Sequence, residues 1–160
     1  MKNKTAYYKS EIGIIKISYQ EKIQSIKLVD KVGSINEKTY ISDKIFNQIE
    51  KYLKGEIKDF EIYDKLEIKA TNFQKSVWEK LIEIPYGETR TYKDIAEKIN
   101  NPKATRAVGS AIGKNPFFII IPCHRVIRSD GKMGGFAYGL DVKEKLLNLE
   151  KGNWFSSIHF

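Results

Sequence analysis

Signals for the two kinds of secondary structure are segregated along this chain. β-rich segments come first and helical stripes follow. "TAYYKS", "GIIKISYQ" and "IQSIKLVD" are apolar and rich in β-branched and aromatic residues, with short polar turns between them. That pattern predicts a small antiparallel sheet. "SDKIFNQIEKYLKGE" then places Ile45, Ile49, Tyr52 and Leu53 on one helical face, with Gly55 suited to the C-cap. "EIKDFEIYDKLEIKA" has alternating apolar residues and reads as a strand or a connection. "TNFQKSVWEKLIEI" opens on a capping box, Thr71 to Gln74, and carries an apolar stripe of Phe73, Val77, Trp78, Leu81 and Ile82. The expected fold is α+β. A small N-terminal antiparallel sheet with a helix occupies 1–69, as a variable, structural domain. A mainly helical C-terminal domain occupies 70–160.

That second part contains a helix-turn-helix pattern. "TYKDIAEKI" is a short helix with Thr91 at its N-cap, "NNP" is a tight break, and "KATRAVGSAIGKN" is a helix ended by Asn115 and Pro116. Its second helix is rich in small residues: Ala104, Ala107, Gly109, Ser110, Ala111 and Gly113. A glycine inside a helix costs roughly 1 kcal/mol against alanine. Either tight helix packing or close approach to a DNA groove would give the glycines a reason. Charge favours the groove. The formal net charge is +8, and from Lys98 to Ser129 there is no acidic residue. That stretch carries Lys98, Lys103, Arg106, Lys114, Arg125 and Arg128, whereas the chain up to Lys69 is mixed, with 14 Lys against 11 acids. A field this one-sided suits a polyanion such as nucleic acid.

Several classes are excluded. No run of about 18 apolar residues could span a membrane, and the N-terminus lacks the apolar block of a secretory signal. One cysteine cannot form an internal disulfide, which fits a reducing, cytoplasmic location. One cysteine and two histidines cannot build a zinc site of the Cys/His kind, so no metal and no cofactor is expected.

The lone cysteine stands in "FFIIIPCHRVI". A free cysteine usually behaves as a small buried apolar group. Against that, Pro122 ends an apolar, strand-like run, His124 and Arg125 follow, and the glycine-rich loop "SDGKMGGFAYG" begins shortly after. A thiol with a pKa near about 8.5 is mostly protonated at neutral pH, so a nucleophilic Cys123 needs a base or a nearby cation. His124 is the candidate, because the other histidine, His159, lies in the C-terminal tail. Adjacent side chains of an extended segment point to opposite faces, so the link would run through water. Local spacing does not identify the acceptor that would orient the imidazole. "DVKEKLLNLEKG" reads as a final helix, with Asp141 as N-cap and Gly152 as its stop.

These residues resemble a known family. "IPCHRVI" is similar to the active-site motif of the O6-alkylguanine-DNA alkyltransferases, also called methylated-DNA–protein-cysteine methyltransferases. The likeness extends across "FQKSVWEKLIEIPYGETRTYKDIAEKINNPKATRAVGSAIGKNPFFIIIPCHRVI" and "GGFAYGLDVKEKLLNLE", about residues 71 to 151. The resemblance implies direct-reversal repair. An alkyl group on O6 of guanine, and also on O4 of thymine, moves irreversibly to Cys123 after the base is flipped from the duplex. Each molecule reacts once. It further implies that His124 acts through water as the base, that Glu150 orients His124, that Tyr92 serves the departing base and that Asn115 braces the turn. Arg106 would enter the base stack from a helix lying in the minor groove of double-stranded DNA. Ala104, Ala107, Gly109, Ser110, Thr91, Lys103, Lys114 and Arg125 would contact the DNA. Val126, Phe136, Ala137 and Tyr138 would form the substrate pocket, and a monomer is expected. Read without the resemblance, Glu150 is a solvated helix end and Asn115 a C-cap, while Tyr92 is as readily a packing residue as a functional one and Arg106 as readily a surface cation.

The chain also departs from the family. The zinc ligands that some members carry near the N-terminus are missing, Phe136 and Ala137 replace a tyrosine and a serine of some relatives, and Tyr138 replaces a glycine. Tyr138 is expected to narrow the pocket mouth. Two other functions compete. A pure DNA-binding regulator would tolerate loss of Cys123, and a cysteine hydrolase would turn over and need an oxyanion site.

Overall fold

Residues 2–152 are described by a computed structural model. They fall into two compact units. The first holds the N-terminal residues through Ile68 together with Pro116–Ile120, and the second holds Lys69–Asn115 with Ile121–Lys151.

In the first unit, β1 (Lys4–Ser10), β2 (Gly13–Tyr19) and β3 (Ile23–Val29) form an antiparallel sheet in that order. The register pairs Ala6 with Ile17 and Ile17 with Ile26, so one face is continuous and apolar. Ile15, Ile17 and Tyr19 alternate along β2 and are fully buried. Helix α1 (Tyr40–Leu53) buries Ile45, Ile49, Tyr52 and Leu53. Each such side chain removed from water contributes about 1.5–3 kcal/mol. The helix starts two residues earlier than its apolar pattern suggests, because Thr39 and Ser42 form a capping box. The Tyr8 hydroxyl ties β1 to α1 through Ser42 Oγ (2.8 Å) and Asp43 Oδ1 (2.5 Å).

Two segments with strand-like patterns are not strands. The residues after Gly55 bury Phe60, Ile62 and Leu66, yet the backbone forms a short 3-10 turn at Tyr63–Lys65 and one bridge, Leu66 to Ile23. "FFIII" is fully buried, but only Phe117 bridges to Ile26, and Ile119 lies in the left-handed region at φ 70°. The free edge of β3 is shared between these segments, so neither has an edge along which to extend.

The second unit is mainly helical: α2 (Asn72–Ile82), α3 (Tyr92–Lys98), α4 (Thr105–Gly113) and α5 (Leu140–Glu150). Two-residue strands β4 (Arg90–Thr91) and β5 (Val126–Ile127) pair in parallel. The Thr71–Gln74 box forms reciprocally, each bond at 3.1 Å. Thr91 caps α3 in the same way, its oxygen accepting from the Asp94 N–H at 3.0 Å. Helices α3 and α4 flank a turn containing Asn100 at φ 61°, which completes the helix-turn-helix. The Trp78 Nε1–H donates to the Ala111 carbonyl (2.9 Å) and fixes α4 on α2. Helix α5 follows Gly139, at φ 97°, so Asp141 sits in its first turn and is not the cap. Gly152, at φ 93°, ends it.

Candidate active site

The backbone around Cys123 turns twice where an extended end was expected. Pro122, at φ −80° and ψ 66°, makes an inverse γ-turn in which the Cys123 N–H donates to the Ile121 carbonyl at 2.8 Å. Cys123–Arg125 then form a 3-10 turn, in which successive side chains diverge by about 120°. Cys123 faces a cavity of about 330 Å³ walled by Tyr92, Gly109, Asn115, Phe136 and Tyr138. His124 and Arg125 turn inward and are buried. The Asn115 side-chain amide donates to the same Ile121 carbonyl at 2.8 Å, which pins the turn from the end of α4.

The acceptor that sequence spacing left open is Glu150, at the end of α5. His124 Nε2 lies 2.7 Å from its Oε2. Burial alone would raise the Glu150 pKa, but hydrogen bonds from His124 and Arg125 outweigh it and hold the carboxyl well below the usual range. Burial lowers the His124 pKa despite Glu150, so the imidazole is neutral at rest. Burial pushes the Cys123 thiol up to about 11, against the pull of the Asn115 side chain and the charge of Lys143. The resting sulfur is therefore a thiol, and its use as a nucleophile needs a proton acceptor in place. Burial raises Tyr92, as does the nearby sulfur, so its phenol keeps its proton.

Arg125 is a correction. It was expected on DNA, but it is 6 % exposed, with Nε 2.8 Å from Glu150 Oε1, Nη2 3.0 Å from Oε2 and Nη1 2.8 Å from the Ile84 carbonyl. Its charge is paired with Glu150 inside the fold rather than offered at the surface. Val126 is buried on β5, donating its N–H to the Cys123 carbonyl and accepting from Lys143 Nζ at 2.6 Å, which leaves one carbonyl lone pair for a ligand. Thr91 is half-buried and its oxygen is engaged in the α3 cap. Phe136 and Tyr138 meet edge to face, centroids 5.7 Å apart, with Ala137 exposed between them.

Helix α4 presents a different surface. Val108, Ala111 and Ile112 are buried, while Arg106, Ala107 and Ser110 are exposed, as are Lys103 and Lys114 at its ends. Ala104 and Gly109 are intermediate. A Cβ on Gly109 would meet the Tyr92 ring at 3.9 Å, an ordinary contact, and one on Gly113 would meet nothing within 4 Å. Tight packing inside the fold does not account for these glycines.

The model of the 6-O-methylguanine DNA methyltransferase DNA-binding domain matches residues 72–152. A methylated-DNA–protein-cysteine methyltransferase of Methanosarcina barkeri is 59% identical over 106 residues, which are 66% of this chain and 66% of that protein. The chain thus spans about two thirds of that relative's length. A probable member from Acanthamoeba polyphaga mimivirus is 46% identical over 90% of this chain and 94% of its own length. The crystal structure of Mycobacterium tuberculosis OGT in complex with DNA superposes with a TM-score of 0.85 at 36% identity, covering 94% of both chains.

The chain belongs to the 6-O-methylguanine DNA methyltransferase family.

Two residues of this methyltransferase-family site escape a sequence reading. Lys143 is fully buried on α5, its Nζ donating to the carbonyls of Val126 (2.6 Å), Met133 (2.5 Å) and Gly135 (3.3 Å). It staples the glycine-rich loop to the strand after Cys123. The signal was present, because Lys143 falls three residues from Leu146 and seven from Glu150, on the buried stripe of α5. Gly87 ends the α2 connection at φ 82° and donates its N–H to Glu150 Oε1 at 3.1 Å. Among the described residues no helix is long and apolar enough to cross a membrane.

Proposed function

We propose that this protein repairs alkylated DNA by moving the alkyl group from O6 of guanine, and from O4 of thymine, onto the sulfur of Cys123. One observation carries the reading. The single thiol forms the floor of a cavity sized for one base, with a neutral imidazole–carboxylate pair behind it and a protonated phenol beside it. The relatives' names as methylated-DNA–protein-cysteine methyltransferases support it.

Chemistry follows from those groups. His124, oriented by Glu150 through Nε2, takes the thiol proton through water at Nδ1. The thiolate attacks the alkyl carbon, so the S–C bond forms as the C–O6 bond breaks. Tyr92 donates to the departing base as negative charge develops on it, and recovers its proton from solvent while His124 returns the thiol proton there. The net change is one proton moved from sulfur to guanine and one thioether formed. A thioether is not hydrolysed under ordinary conditions, so the protein is consumed once.

A base stacked in duplex cannot reach a sulfur at the bottom of a cavity, so it must be flipped out. Helix α4 suits the minor groove, with Ala107, Gly109 and Ser110 allowing close approach. Arg106 fills the gap in the stack, and Lys103 and Lys114 face phosphates. The Val126 carbonyl and the backbone at Ala137 read the base edge, and Asn115 holds the turn. The protein acts as a monomer in the cytosol, where its lone thiol stays reduced. Intact-mass analysis after mixing with an O6-methylguanine duplex tests this. One methyl gained per protein, absent in Cys123→Ser, is expected; an unchanged mass, or multiple turnovers, overturns the reading.

A further inference from the structure

Among the described residues Arg125 is the one buried arginine, and the reaction above gives it no task. A buried guanidinium is tolerated when it is paired and hydrogen-bonded. Here its Nε and Nη2 grip both oxygens of Glu150 as a fork, Nη1 rests on the Ile84 carbonyl, and its Cζ lies 5.7 Å from the centre of the Tyr86 ring. Glu150 Oε2 also meets His124 Nε2, and Oε1 meets the Gly87 N–H. The carboxylate's charge is therefore matched by the guanidinium, and the imidazole need not match it.

That division has a chemical consequence. A buried carboxylate without a cation draws a proton onto its neighbour, which would make His124 an imidazolium. An imidazolium has no lone pair for the thiol proton. We propose that Arg125 is a positioning residue of the alkyl transfer, which neutralises Glu150 so that His124 stays an uncharged base with Nε2–H turned to the carboxylate and Nδ1 basic. This rests on the alkyl-transfer reading. The charged groups acting on His124 are Glu150 and Lys143 from α5 and Arg125 from its own turn. Burial, Arg125 and Lys143 oppose its protonation, while Glu150 favours it. A cation is required over a neutral hydrogen-bond donor, because only a charge can cancel that of Glu150.

The test reads the His124 ring directly, by the pH dependence of its 15N shifts, with the second histidine's signals removed by His159→Gln. Alkylation by free O6-benzylguanine is followed in parallel. In the wild-type chain His124 should stay neutral from pH 6 to 8. In Arg125→Met it should titrate within or above that range, and alkylation at pH 7 should fall at least tenfold, recovering as pH rises through the new titration. Arg125→Lys should restore the neutral ring, and so should Arg125→Met/Glu150→Gln, which removes both charges. A folded Arg125→Met whose His124 is still neutral at pH 7 overturns the proposal. If that variant does not fold, the double variant and Glu150→Gln decide, because a protonated His124 at pH 7 in either means that the carboxylate was not the source of the pull. Failure of the alkyl-transfer reading would appear separately, as no mass gain in the wild-type chain, while the ring shifts still report on Arg125.

Discussion

Arg106 and Arg125 lie in the same acid-free stretch, yet the fold uses them in opposite ways. Arg125 is buried and paired with an acid 25 residues away; Arg106 is exposed on α4. Arg106 adds to an external field, and Arg125 cancels an internal one. The difference divides the second unit into a buried centre around Cys123 and an exposed face on α4, and it predicts which substrates will notice each substitution. Changes at the centre should affect a free modified base and a modified duplex alike. Changes on α4 should affect only the duplex.

His124→Ala should show the largest effect, on both substrates. A positioned base contributes about 10²–10⁴ in rate, so single-turnover alkylation near neutral pH should fall by that order. The variant's rate should then climb with pH toward the buried thiol value of about 11. The same rate-against-pH curve in both proteins would remove His124 as the acceptor. Arg106→Ala should come next. Unstacking a base costs a few kcal/mol, so repair of duplex should drop on the order of a hundredfold with free O6-benzylguanine unaffected. Equal losses on both substrates would end the division drawn above.

Tyr138→Gly tests the border between the regions. The ring lines the cavity beside Phe136. Overpacking costs about 1–3 kcal/mol, so the substitution should speed O6-benzylguanine roughly tenfold to a hundredfold and leave O6-methylguanine in DNA nearly unchanged. Paired single-turnover rates decide, and equal gains on both substrates would remove Tyr138 as a gate. The smallest effect is expected from Lys103→Gln with Lys114→Gln. For every phosphate that is no longer neutralised, the plot of log affinity against log salt should flatten by about 0.9, with alkylation of the free base intact.

What could be read from the sequence was what is local. The Thr71–Gln74 box and the Thr91 cap form over three residues, so their partners lie within a window. The β-rich beginning and the later helical stripes gave the α+β order for the same reason. "FFIII" misled because its burial is real but its pairing depends on an edge of β3 that Leu66 also uses. Arg125 misled because nothing in "PCHRVI" reveals a carboxylate on a helix that begins fifteen residues later. The resemblance supplied Glu150 as the partner of His124, and geometry then supplied Arg125 as a second partner of the same acid. Lys143 drew no sequence reading of its own, because the carbonyls it meets lie 8 to 17 residues away in the chain.

Lys143 binds its three carbonyls as a crown ether binds an ammonium ion. The macrocycle here is the segment 126–135, closed around a charge covalently delivered by α5. A host of that kind grips only while its guest is protonated, because a neutral amine has two N–H groups to offer three oxygens. Burial brings the Lys143 pKa down to about 8, so the clasp should loosen in mild alkali, below the pH at which the sulfur ionises unaided. The discrimination expected of the cavity at neutral pH should weaken there, and the preference for methyl over benzyl should narrow as pH passes about 8. Size selection by Tyr138 would then depend in part on one titrating guest, adjustable without altering the ring itself.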